Sequence, residues 1–183
     1  MGKKKKIQKA GDLHEAFDEK VRRIAKLRGL SPHGAQYLTA LLIEKTRHEP
    51  VPHTLFDMYR EALEAEGLLS GQRYRRLGDQ ALFVLGVHPE SIRRKGVSAS
   101  YYRDMGSIAY DSASVLIKAP VYSELASSFT PAAFTLREVF EEFRHEACTD
   151  VLALYEEWTR TGSLRALRRL QELGFNFQPR VVK

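Results

Sequence analysis

Leu13, Phe17, Val21, Ile24 and Leu27 recur at spacings of four, four, three and three. That is one stripe of an amphipathic helix, and Gly29 supplies its stop. Ser31 and Pro32 restart the chain as a cap with proline in the first turn, and Leu38, Leu41 and Leu42 carry the next apolar face as far as the break at His48, Glu49 and Pro50. Thr54 caps a third helix, with Leu55, Met58, Tyr59 and Ala62 inward and Gly67 ending it. Ser70 opens a fourth that runs to Leu85 and stops at Gly86. Its second half, residues 81–85, is apolar all round, which predicts a central helix buried on several sides.

Beyond a turn at Val87, His88 and Pro89, Ser98 or Ser100 starts a helix with Tyr101, Met105, Ile108, Ser112 and Val115 on one face. Gly106, Ala109 and Ala113 form a small-residue strip beside that face, where a neighbouring helix can come close. A short helix follows Pro120, over about residues 121–129. Thr130 and Pro131 begin a strong one through Leu136, Val139, Phe140, Phe143 and Ala147. Thr149 or Asp150 caps another, with Val151, Leu154, Tyr155 and Trp158, and Ser163 caps the last, with Leu164, Leu167 and Leu170 inside and Gly174 closing it. The alternation of strands is almost absent. The expected fold is all-α, an irregular or orthogonal bundle of about eight helices. Residues 1–11 read as a disordered lysine-rich tail, 12–177 as a single helical domain and 178–183 as a flexible C-terminal tail.

Composition narrows the setting. At 183 residues and 20.9 kDa the chain can fill one core. Its single cysteine, Cys148, forms no internal disulfide, so nothing points to an oxidising compartment. Lys3 to Lys6 are not followed by the apolar run of a signal peptide, and no apolar run is long enough to cross a bilayer. A cytoplasmic protein without a membrane span is expected.

The formal charge of +6 is unevenly spread. Residues 1–50 hold 12 Lys/Arg against 6 Asp/Glu, and residues 71–110 hold 7 against 3. Residues 111–160 hold 4 against 9, and residues 51–70 hold 1 against 4. A dedicated nucleic-acid binder shows a denser, less compensated patch, and these blocks can also satisfy one another.

Candidate chemistry is sparse. Glu142 and His145 have the spacing found in carboxylate-bridged di-iron bundles, but no second such pair exists, and the helical angle turns His145 away from the apolar stripe. Cys148 lies in an acidic segment that would raise a thiol pKa, the opposite of what an activated nucleophile needs. No metal site and no cofactor is expected. Asp79 is the most informative polar residue, placed at the edge of the apolar half of its helix. A buried carboxylate requires a partner, and Arg76, Arg93, Arg94 or Tyr102 could provide one, as a register-fixing pair or as part of a ligand-recognising group. Arg93, Arg94 and Lys95 make a run of three cations with Tyr101 and Tyr102 close behind, a combination suited to single-stranded nucleic acid or a phosphorylated ligand, or to a solvated loop facing the acidic 111–160 segment.

The stretch from Arg76, Gly78, Asp79 and Phe83 through Pro89 and Ser91 to Tyr101, Tyr102, Met105, Gly106, Ala109 and Tyr110 resembles a pattern shared by a group of bacterial all-helical proteins with no established activity. The resemblance covers about residues 70–160. It implies a helical bundle and a bacterial cytoplasmic origin, and it assigns no residue a role.

Two functions are compatible with these residues. The preferred one is a non-enzymatic interaction or regulatory module whose basic 73–95 region or exposed aromatics engage an anionic partner, a nucleic acid or an acidic protein. The alternative is a small-molecule or cofactor pocket around the central helix, lined by Asp79, Arg76, His88 and Tyr102. The chain carries no self-sufficient catalytic set, so the balance leans away from an enzyme.

Overall fold

A computed structural model describes residues 2–47, 54–94 and 96–172, with side chains placed over 14–45, 54–94, 96–145 and 152–171. Lys95, the break at His48 to Pro50, and Gly174 lie outside the described residues. Side chains of Ala147, Cys148, Thr149, Asp150 and Val151 do too. The fold is all-α. Among the described residues there are nine helices: α1 (Gly2–Leu27), α2 (Pro32–Arg47), α3 (Leu55–Leu63), α4 (Gly67–Val87), α5 (Pro89–Arg94), α6 (Ala99–Ile117), α7 (Pro120–Ser127), α8 (Phe129–Thr161) and α9 (Leu164–Glu172).

Several boundaries fall where the capping chemistry put them. Gly29 takes a left-handed φ of +76°, and the Leu30 amide reaches back to the Ala25 carbonyl, closing α1. Ser31 Oγ accepts from the Gly34 amide, Thr54 Oγ1 from the Asp57 amide, Ser98 Oγ from the Tyr101 amide and Ser163 Oγ from the Ala166 amide. Ser98, not Ser100, is the cap of α6.

Elsewhere the structure departs from expectation. The lysines of residues 3–6 belong to α1, which begins at Gly2; lysine, glutamine and alanine are good helix formers and extend the helix that follows. α3 ends at Leu63, and Gly67, with φ +56°, begins α4 instead of ending α3. Ser70 is therefore inside α4, where its hydroxyl donates to the Ala62 carbonyl at 2.8 Å. α8 continues through Thr149 and Asp150, because neither glycine nor proline interrupts it there. The chain divides into two compact units, residues 1–139 and 140–183.

In the first unit α4 and α6 lie antiparallel and very close. A Cβ on Gly71 would meet Leu116 and Ile117, one on Gly78 the Tyr110 ring, and one on Gly106 the Ala81 Cβ at 3.0 Å. As α4 ascends, α6 descends. The buried face of α6 is Tyr102, Gly106, Ala109, Tyr110 and Ala113. The small-residue strip of Gly106, Ala109 and Ala113 is thus the place of close approach, while Ile108 and Val115 on the face beside it are exposed. Small residues win this face because they let two backbones approach and bring more atoms into contact than larger side chains at wider separation. α7 packs beside α6 and α2, and the first turns of α8 close over α4, where Leu136 and the Ala133 carbonyl lie against Gly86. Phe129 seats its ring beside Gly106 and 6.0 Å from the Tyr110 ring.

The second unit holds the remainder of α8 and α9. Gly162, with φ +66°, makes the bend, and Ala166 and Leu170 are buried while Arg165 and Arg168 are exposed.

Candidate functional site: the Asp79 cluster

Asp79 is buried in α4 at 3% exposure, and burial in apolar surroundings is costly for a carboxylate unless its oxygens are satisfied. Two tyrosine hydroxyls satisfy one of them. Tyr37 of α2 donates to Oδ1 at 2.6 Å, and Tyr110 of α6 donates to the same oxygen at 2.8 Å. Arg75 Nη1 stands 3.8 Å from Oδ2, too far for a hydrogen bond but close enough for an ion pair. The Tyr122 ring of α7 stacks on Tyr110 at 6.1 Å and meets the edge of Tyr37 at 5.6 Å. Beside it, Lys45 of α2 donates to Gln80 Oε1 at 2.8 Å. Four helices thus converge on one carboxyl group.

The partners differ from those the sequence suggested. Arg76, Arg93, Arg94 and Tyr102 do not pair with Asp79. At about 100° per residue, Arg75 lies about 40° to one side of Asp79 around α4 and Arg76 about 60° to the other, toward solvent. Arg76 is exposed. Arg93 is held by Glu90 one turn earlier, inside α5, a helix where only a turn was expected. Arg94 is exposed. Tyr102 is buried and meets the Tyr101 ring edge-on at 5.9 Å. His88 is exposed at the C-terminal cap of α4, its ring 5.4 Å from Phe83. The expected lining of Asp79, Arg76, His88 and Tyr102 is therefore not assembled around Asp79.

Electrostatics follow from burial. Removal from water pushes the Asp79 carboxyl above its ordinary value, against the pull of the Tyr37 hydroxyl, the Arg75 guanidinium, the Tyr110 hydroxyl and Lys45. Burial and the neighbouring carboxylate push Tyr37 and Tyr110 well up, so both remain hydroxyl donors. Burial pulls Lys45 down, opposed by Asp79 and Glu44. Arg75 stays firmly cationic, since Asp79 and the tyrosines more than offset its own desolvation.

No family model, curated protein or solved structure matches the chain.

Chemically, the cluster is a clamp of hydrogen bonds. Its hydroxyls hold their protons, and the carboxyl presents Oδ1 to both of them and Oδ2 to the Arg75 guanidinium. Among the described residues no group of three or more His, Cys, Asp or Glu is placed to hold a metal ion, and no helix is long and apolar enough to cross a membrane. His145 is exposed. The sequence reading missed Tyr37, Lys45, Arg75, Tyr110 and Tyr122. One signal for Tyr110 was present: it flanks the Gly106 and Ala109 strip, and Gly78 is the gap its ring fills.

Proposed function

We propose that this chain is a non-enzymatic helical interaction module that engages an anionic partner through the exposed cations of α4 and α5. The observation carrying this reading is a division of labour among the arginines. Arg73 donates to the Glu61 carbonyl, Arg75 faces Asp79 and Arg93 pairs with Glu90, whereas Arg76 and Arg94 project into solvent on the same stretch of chain. An exposed guanidinium is well suited to phosphate or carboxylate recognition. The single cysteine and the resemblance to a bacterial helical group support a bacterial cytoplasmic setting.

Fluorescence anisotropy with mixed-sequence RNA and DNA tests the nucleic-acid form of this reading. Binding is expected to be micromolar or weaker and to fall steeply with salt, and replacing Arg76 and Arg94 with alanine should flatten the salt slope by about two units. Absence of binding at low salt, where exposed charges act most strongly, removes that form and leaves an acidic protein as the partner class.

A second reading, a small-molecule site beside α4, draws support from half-buried Lys45 and Arg75 next to Asp79. Native mass spectrometry of the purified protein tests it. A ligand retained by wild type and lost with Lys45→Ala would favour this reading over the first.

A further inference from the structure

Beside the Asp79 clamp stands an amine that the clamp does not use. Lys45 of α2 is half-buried, and its Nζ donates to Gln80 Oε1 at 2.8 Å. That partner is a neutral amide, whereas an ammonium partly removed from water is ordinarily held by a carboxylate. The buried carboxylate of this site is engaged elsewhere: Asp79 gives Oδ1 to Tyr37 and Tyr110 and faces Arg75 with Oδ2. Glu44, next to Lys45 in the chain, is exposed and makes no ion pair with it.

Two guanidiniums share the spot. Gln80 and Arg76 are four residues apart on α4, so an amine bonded to Gln80 lies about one helical turn from Arg76. Arg75 occupies the adjoining position, beside Asp79. Arg76 is exposed and, among the described residues, makes no ion pair or hydrogen bond. Burial, with the charges of Arg75 and Arg76, holds the Lys45 ammonium below its ordinary value, against the attraction of Asp79 and Glu44. A lysine desolvated beside other cations keeps more of its amine unprotonated, and that amine is the nucleophile that condenses with carbonyl compounds.

We propose that Lys45 forms an imine with a small aldehyde or ketone that carries a phosphate, the phosphate resting on Arg76 within the field of Arg75. In that step the Lys45 nitrogen bonds the carbonyl carbon, and the carbonyl oxygen leaves as water with the two amine protons. A phosphate monoester carries about two negative charges, and Arg76 offers it an unshared guanidinium fork. The inference rests on the second reading above, a small-molecule site beside α4, and is independent of whether α4 and α5 engage a larger anion.

The full chain, incubated near neutral pH with glyceraldehyde 3-phosphate and cyanoborohydride, tests it. Cyanoborohydride reduces an imine to a stable amine, and peptide mass mapping locates the labelled lysines. Glyceraldehyde, the same aldehyde without the phosphate, runs beside it. Lys45 should label on the order of tenfold faster than the exposed Lys26 and Lys118, because a depressed lysine holds more free amine. The phosphorylated aldehyde should label it faster than glyceraldehyde does. Arg76→Gln should remove that advantage and leave labelling by glyceraldehyde in place, and the preference for Lys45 should vanish in the urea-unfolded chain. Labelling of Lys45 no faster than that of Lys26 and Lys118 overturns the inference, as does an equal response to the two aldehydes. A ligand that native mass spectrometry finds lost with Lys45→Ala, beside a Lys45 that does not label, also overturns it and leaves the small-molecule reading standing.

Discussion

The Tyr110 hydroxyl reaches Asp79 Oδ1 across the α4–α6 contact at 2.8 Å, and its ring occupies the space that a side chain at Gly78, one residue away in α4, would fill. The close approach of the helices and the satisfaction of the buried carboxyl are one arrangement. Widening the first breaks the second.

Gly78→Ala tests that linkage. By helix propensity alone the change should stabilise by up to about 1 kcal/mol. The new Cβ would meet Tyr110 ring carbons at 2.8 Å, so the expected result is the opposite sign, a loss of about 1–3 kcal/mol in urea unfolding. Gly106→Ala, whose Cβ would fall 2.2 Å from Phe129 Cζ, should cost at least as much.

Asp79→Ala strands two hydroxyls at once and should destabilise by about 3 kcal/mol, whereas Tyr110→Phe removes one donor and leaves Tyr37 in place, for about 1 kcal/mol. Urea melts of both single variants and the double variant give the coupling. A loss for Asp79→Ala no larger than that of an exposed substitution, within about half a kcal/mol, contradicts the clamp.

The pH dependence has a definite sign. Burial raises the folded-state value of Asp79 above its unfolded one, so between those two values the folded protein binds more protons. The contribution of this group is therefore fully present below the ordinary carboxyl value of 3.8 and is lost as pH rises through the raised one. Asp79→Asn keeps an acceptor for both tyrosines and cannot titrate. The stability of wild type relative to Asp79→Asn should climb as the medium is acidified, measured by urea melts at a series of pH values; a difference that falls on acidification would mean the carboxyl is depressed.

Ser31 and Glu124 form the tie between α2 and α7. Glu124 Oε1 accepts from the Ser31 amide and Oε2 from its hydroxyl, each at 2.6 Å, while Ser31 Oγ caps Gly34. Ser31→Ala should cost about 1–2 kcal/mol, more than Thr54→Ala at the exposed cap of α3, and Glu124→Gln should show coupling to Ser31 in a double-mutant cycle.

How far the sequence discloses this molecule depends on the range of the signal. Local chemistry is readable: Gly29, Ser31, Thr54, Ser98 and Ser163 end or begin helices as their side chains require. On α6 the small-residue strip marked a place of close approach, but which helix fills it is not a local matter. Ile108 and Val115 are the more hydrophobic stripe, yet the strip of Gly106, Ala109 and Ala113 turns inward because Gly71 and Gly78 wait on a helix thirty residues earlier. Asp79 could be read as a buried carboxyl in need of a partner. Its partners could not be named, since Tyr37 lies 42 residues before it and Tyr110 lies 31 after. The charge run at Arg93 and Arg94 suggested an open cationic loop, and Glu90, one helical turn earlier, takes Arg93 out of it.

Asp79 also sets an order of events. Its hydroxyl donors come from α2 and α6, distant in sequence and docked on either side of α4, so the clamp is expected to close late, on the folded side of the barrier. Tyr37→Phe should then leave the refolding rate nearly unchanged and speed unfolding, which stopped-flow chevrons would resolve into the two limbs. On that account the buried carboxyl does little to direct the chain toward its fold and much to determine how long the folded molecule lasts.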